Sequence, residues 1–132
     1  MAMADEVAPA SRTDEALRLQ EAGRVREAEA LYREALAADP GDYNAAFRLA
    51  VLYMHAGRNE EAAAAFTKLV AGDPRNAGAL ANLGIVLQAM GRREEAERRY
   101  REAIAANPAL AAPQLNLGVL LEEIGRAEIG RA

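Results

Sequence analysis

The stretch DPRNAGALANLG, residues 73–84, returns as NPALAAPQLNLG at 107–118, and a blurred copy, DPGDYNAAFRLA, stands at 39–50. The offset is the same both times. Self-similarity at a fixed period restricts a chain to stacked copies of one supersecondary unit, because no single copy can bury its apolar face alone. The same shift aligns Gly23, Gly57, Gly91 and Gly125, then Pro40, Pro74 and Pro108, and Ala28, Ala62 and Ala96. Tyr32, Phe66 and Tyr100 fall together, as do Leu49, Leu83 and Leu117.

Within a unit the punctuation reads as two helices. From Asn76, a good N-cap residue, Leu80, Leu83, Gly84 and Leu87 follow the i, i+3, i+4, i+7 rule until Gly91 closes the helix. Arg92 to Ala106 carries Ala96, Tyr100, Ala103 and Ile104 at helical spacing, and Pro108 prevents continuation. Each helix is about 13 to 15 residues, roughly 20 Å at 1.5 Å per residue. Gly84 and Ala96 lie where two backbones approach, while Leu83 and Tyr100 fill the space beside them, so Ala96→Leu is expected to overpack the contact. On the second helices, Glu29–Arg33, Glu94–Arg98, Glu95–Arg99 and Glu97–Arg101 stand in the favoured i, i+4 order. These pairs predict a solvated face rather than an anion site.

A chain rich in Ala and poor in aromatics suits helices packed closely over small side chains. The 132 residues are enough for one domain with a core, taken as residues 1–132. No cysteine is present, which excludes disulfides, thiolate metal sites and Cys nucleophiles. The net charge of −4 argues against a sequence-independent nucleic-acid binder. The opening residues MAMADEVAPASRTDEA show no secretory leader, and no apolar run reaches a bilayer span, so a cytoplasmic protein that binds no membrane is expected.

These residues together resemble the tetratricopeptide repeat, a helix-turn-helix unit of about 34 residues. The third unit (77–110) fits best, through Leu80, Leu83, Gly84, Leu87, Gly91, Ala96, Tyr100, Ala103 and Pro108. The second (43–76) keeps Leu49, Ala50, Tyr53, Gly57, Ala62, Phe66 and Pro74, with Leu69 in place of a small residue. The first (9–42) matches in its second half, and its first helix has Arg12 and Glu15 where apolar residues are expected, which reads as a polar cap. A partial fourth (111–132) keeps Gln114, Leu117, Gly118, Leu121 and Gly125, then breaks off without a second helix. The resemblance implies an all-α, right-handed superhelical solenoid of about three repeats plus a C-terminal helix. It also implies a concave groove, lined by the first helices, that takes a peptide or extended protein segment, and no catalysis.

If Leu80, Leu83, Gly84 and Leu87 face the partner helix, residues one step earlier lie about 100° around and form a second stripe. That stripe reads Asn44, Arg48, Val51 and His55 in the second unit, Gly78, Asn82, Ile85 and Ala89 in the third, and Ala112, Asn116, Val119 and Glu123 in the fourth. Gln88 is included among the groove residues. An amide can donate to a peptide carbonyl and accept from its N–H, so Arg48, Asn82 and Asn116 in a row would hold a backbone without reading its sequence. Val51, Ile85 and Val119 would add apolar contact, Arg48 selectivity for an anion and Glu123 for a cation. The row resembles the asparagine ladder of O-linked N-acetylglucosamine transferases. The two-carboxylate clamp that grips heat-shock chaperone tails fits poorly: its places hold Thr13, Leu17, Arg48, Gly78 and Asn82, or Phe47, Val51, Asn82, Ala112 and Asn116.

His55 is the single histidine and belongs to no catalytic or metal motif, and no phosphate loop or nucleophile elbow occurs, so neither an enzyme nor a cofactor is expected. The last helix carries Leu115, Leu117, Val119, Leu120, Leu121 and Ile124, too many for one buried face. Either the stretch is cut from a longer array or another chain covers this helix; the second is favoured, with Leu115, Leu120 and Ile124 expected to join a second copy of the chain. The leading expectation is a peptide-binding interaction module. A self-assembling scaffold and an accessory region of a larger enzyme, such as a glycosyltransferase, are the alternatives.

Overall fold

A computed structural model describes residues 9–131, with side chains from 12 to 130. Seven helices follow one another: α1 (Pro9–Glu21), α2 (Val25–Ala38), α3 (Tyr43–His55), α4 (Asn59–Gly72), α5 (Ala77–Ala89), α6 (Arg93–Ala106) and α7 (Ala111–Arg131). No strand occurs among the described residues, so the fold is all-α, built of helix-turn-helix repeats. The chain divides into two compact units between Gly57 and Arg58, inside the second repeat.

The recurring stretch is a recurring joint. Asp39, Asp73 and Asn107 end a helix and accept, through their side-chain oxygens, the N–H of Gly41, Arg75 and Ala109, each at 3.1 Å. The proline between blocks helical continuation. Three residues on, Asp42 and Asn76 cap the next helix by accepting the N–H of Ala45 and Ala79 at 3.1 Å. The turn inside a repeat is made at glycine. At Gly91, φ is 79°. Its N–H reaches Gln88 O at 3.0 Å while Arg92 N–H reaches Leu87 O at 2.9 Å, the paired bonds of a Schellman ending. Gly23 repeats this with Gln20 and Leu19.

In the first unit α1 packs on α2 and α3 on both. Ala16, Ala28, Tyr32 and Ala35 are fully buried between them, with Ala45, Leu49, Ala50 and Leu52 of α3. Arg12 is half-exposed and Glu15 exposed, as a polar cap requires, and the helix buries Thr13 and Ala16 instead. Arg33 donates to Tyr53 Oη at 2.7 Å, tying α2 to α3.

In the second unit α5 has α4, α6 and α7 around it. That is why it is apolar on nearly every side, with Leu80, Ala81, Leu83, Gly84, Val86 and Leu87 buried. Full burial of Leu80 and Leu83 contributes about 2 kcal/mol each. Ala96 and Tyr100 are buried against α5, and the Tyr100 ring lies on Gly84: a Cβ there would stand 2.6 Å from Tyr100 Cε1. The neighbour met at Gly84 is thus the Tyr100 ring rather than a second backbone.

One local expectation is corrected. Glu97–Arg101 and Glu29–Arg33 pair as expected, at 3.0 and 2.8 Å. Glu95 instead pairs with Arg92 at 2.8 Å and Arg99 with Glu102 at 3.1 Å. Glu94 and Arg98 form no ion pair among the described residues. Arg92 stands just before the helix, three residues from Glu95, and the same arrangement recurs at Arg24–Glu27 and Arg58–Glu61. Gly125, aligned with Gly91 in the sequence, does not end its helix. The α7 helix runs unbroken through it, and among the described residues positive φ is confined to Gly23, Gly57 and Gly91. Glycine permits the turn but does not impose it; Gly130 stands where Ala96 seats α6 on α5, so nothing draws the chain back.

Candidate binding surface

In the first unit the stripe residues Asn44, Arg48, Val51 and His55 share one cleft of about 340 Å³, with Leu17 and Gln20 of α1 and Phe47 completing it. Spacings of i, i+4, i+7 and i+11 on α3 put all four on one face. Arg48 is half-buried, and its Nε donates to Asn44 Oδ1 at 3.1 Å. Among the described residues no carboxylate pairs with it, so its charge is available to an incoming anion. Below it, Tyr32 Oη donates to Gln20 Oε1 at 3.0 Å. Burial raises the Tyr32 pKa, with Arg48 opposing and Glu21 reinforcing the shift.

In the second unit, Asn82 and Asn116 are half-buried on α5 and α7. Beside them Ile85 and Val119 are exposed, to 36% and 55%. The two helices are joined where Gln88 Nε2 donates to Glu123 Oε1 at 3.0 Å. Tyr100 Oη donates to Gln88 Oε1 at 2.8 Å, and Arg93 Nε stands 3.6 Å from Glu123 Oε2. One amide therefore bridges α6 and α7 through α5. Burial, then the Glu123 charge, pushes the Tyr100 pKa up to about 12.

The stripe residues of the first unit are thus together, while in the second unit the contact that joins α5 to α7 is Gln88–Glu123. Gln88, expected in the groove, is also an internal link: its Oε1 accepts from Tyr100 and one of its two N–H groups donates to Glu123. Of the three residues expected at an interface between copies, Leu115 is 70% exposed and Ile124 half-buried, but Leu120 is fully buried. Leu120 therefore belongs to the core of the second unit. Leu17, Gln20 and Phe47 were missed as lining of the first cleft. A signal for Gln20 existed: Gln precedes Tyr at the same interval in Gln20–Tyr32 and Gln88–Tyr100, and where Phe66 removes the hydroxyl, Met54 removes the amide.

Among the described residues no helix is long and apolar enough to cross a membrane, and no cluster of His, Asp and Glu could hold a metal ion. Two family models described as tetratricopeptide repeat match residues 13–77 and 56–115. The tetratricopeptide domain of Sgt2 from Aspergillus fumigatus superposes with a TM-score of 0.86 at 23% identity, over 94% of this chain and 83% of that one. The first such domain of Spaghetti (RPAP3), bound to the HSP90 peptide SRMEEVD, gives 0.83 at 18% identity over 89% and 94%. MamA of AMB-1 gives 0.77 at 22% identity over 91% of this chain, which spans 66% of MamA. No curated protein matches by sequence.

Proposed function

The chain belongs to the tetratricopeptide repeat family, and on that premise we propose that it is a non-catalytic, cytoplasmic protein-interaction module for an extended peptide, offering α3 as the contact surface of the first unit and α5 with α7 as that of the second. The observation that carries the reading is the cleft of the first unit. Four stripe residues line it, and its one guanidinium has no acidic partner among the described residues. Arg48 would take an acidic side chain or a terminal carboxylate, with Val51 and Phe47 contacting the adjacent apolar part. Asn82 and Asn116 would hold main-chain amides, with Ile85 and Val119 beside them. The peptide seen on the related fold of RPAP3 supports a peptide as the class of ligand. The HSP90 tail itself is not the expected ligand, since Thr13, Leu17 and Gly78 stand where a chaperone clamp needs basic and amide side chains.

The test is a peptide selected on the wild-type chain from a displayed random library, then titrated by fluorescence polarisation against an Asn82→Ala/Asn116→Ala double variant. Loss of two hydrogen bonds at about 1 kcal/mol each weakens binding roughly tenfold or more. Unchanged affinity in a variant that keeps its helical circular dichroism refutes the amide row.

A further inference from the structure

At 100° per residue α7 presents three faces. Pro113, Leu117 and Leu120 turn into the second unit and are buried. Ala112, Asn116, Val119 and Glu123 form the stripe already described. The third face carries Gln114, Leu115, Gly118, Leu121, Glu122 and Ile129, all exposed, and it lies roughly 130° from the stripe.

One repeat earlier the same face of α5 is covered. Gly84 receives the Tyr100 ring and Leu87 is 4% exposed, whereas a Cβ on Gly118 would meet nothing within 4 Å and Leu121 is 41% exposed. The α7 helix thus repeats the relief that seats a helix on α5, with no helix on it among the described residues. Leu115 and Ile129, 70% and 76% exposed, extend the apolar surface along the same side.

We infer that this face pairs with the same face of a second copy of the chain, the two α7 helices crossing antiparallel at Gly118. The face is complementary to itself under that two-fold axis. Leu115 of each copy meets Leu121 of the other, three residues either side of the crossing. Gln114 meets Glu122 at four residues, and Ala111 meets Gly125 at seven. Gln114 donates one N–H to Pro108 O at 2.9 Å, which leaves its second for the carboxylate. No like charges are opposed, whereas a parallel pairing would set Glu122 against Glu122. A head-to-tail contact with α1 is disfavoured, because α1 shows Arg12 and Glu15 to solvent. Two like faces close at two copies. An interface of one helix from each copy is small, so the dimer is weak and depends on concentration. It leaves the peptide stripe of each copy free, so two linked stripes would bind a repeated ligand with avidity.

The absence of cysteine from the sequence makes the test clean. A Gly118→Cys variant, oxidised with glutathione disulfide, is expected to cross-link to itself about tenfold faster or more than a Val119→Cys variant, whose thiol lies on another face. Sedimentation velocity is expected to show a monomer–dimer equilibrium for the wild type and monomer alone for Leu115→Glu/Leu121→Glu. Cross-linking no faster at Gly118→Cys than at Val119→Cys would overturn the inference. So would wild-type monomer throughout the concentration range, or association that survives the paired glutamates. A different protein's helix found on this face of a monomeric chain would overturn it too.

Discussion

A methyl group added at Gly84 tests how closely α5 and α6 are packed. The new Cβ would lie 2.6 Å from Tyr100 Cε1 and 2.7 Å from Cδ1. The ring cannot swing aside, since it is buried and its hydroxyl is held by Gln88 at 2.8 Å. Overpacking of this kind costs about 1–3 kcal/mol. Against it stands the gain of Ala over Gly inside a helix, about 0.5–1 kcal/mol. Ala16 fills the equivalent place beside α2 and is fully buried, so the fold accepts a methyl once the helices adjust. The lower part of the range therefore applies, about 1.5 kcal/mol, which leaves a net loss of about 0.5–1 kcal/mol and a fall in Tm of roughly 2–3 °C. Gly118→Ala is the matched control. It adds a methyl to the same register in open space and should stabilise by about 0.5–1 kcal/mol. Urea unfolding followed by far-UV circular dichroism at low micromolar concentration separates the two. A Gly84→Ala variant as stable as the wild type, or shifted in the same direction as Gly118→Ala, would refute the tight contact.

Two further outcomes follow from the same contacts. Tyr100 has its pKa raised to about 12, so the folded state keeps a proton that the unfolded chain loses near pH 10. That contribution to stability is complete below about pH 10 and disappears as pH rises through about 12; urea midpoints across that window should fall less steeply in Tyr100→Phe. Replacing the Asn76 cap with Ala leaves the Ala79 N–H without its side-chain acceptor and should cost about 1 kcal/mol in the same urea assay.

What the sequence made legible was whatever local rules decide. The repeat period, the Asn76 cap and the glycine turns at Gly23, Gly57 and Gly91 all depend on residue type and helical spacing, and each appears where the pattern put it. What it hid was decided by competition or by distance. Glu95 had Arg99 one turn ahead and Arg92 just behind, and spacing alone could not rank them. The link from Gln88 to Glu123 was hidden because the two residues lie far apart in the chain on different helices. Gly125 looked like Gly91 because sequence marks where a turn is permitted, whereas the packing of the next helix decides whether it is made. Leu120 could not be separated from Leu115 until α7 had a core side and an open side.

Glu123 belongs to the α7 stripe and also receives the amide of Gln88, which in turn receives the Tyr100 hydroxyl. A cationic group that recruits this carboxylate must draw it from the amide, and the phenol buried behind α5 then loses its fixed acceptor. The chain has no tryptophan to mask that change. Its own ultraviolet spectrum can therefore announce occupancy of the surface, with no dye attached.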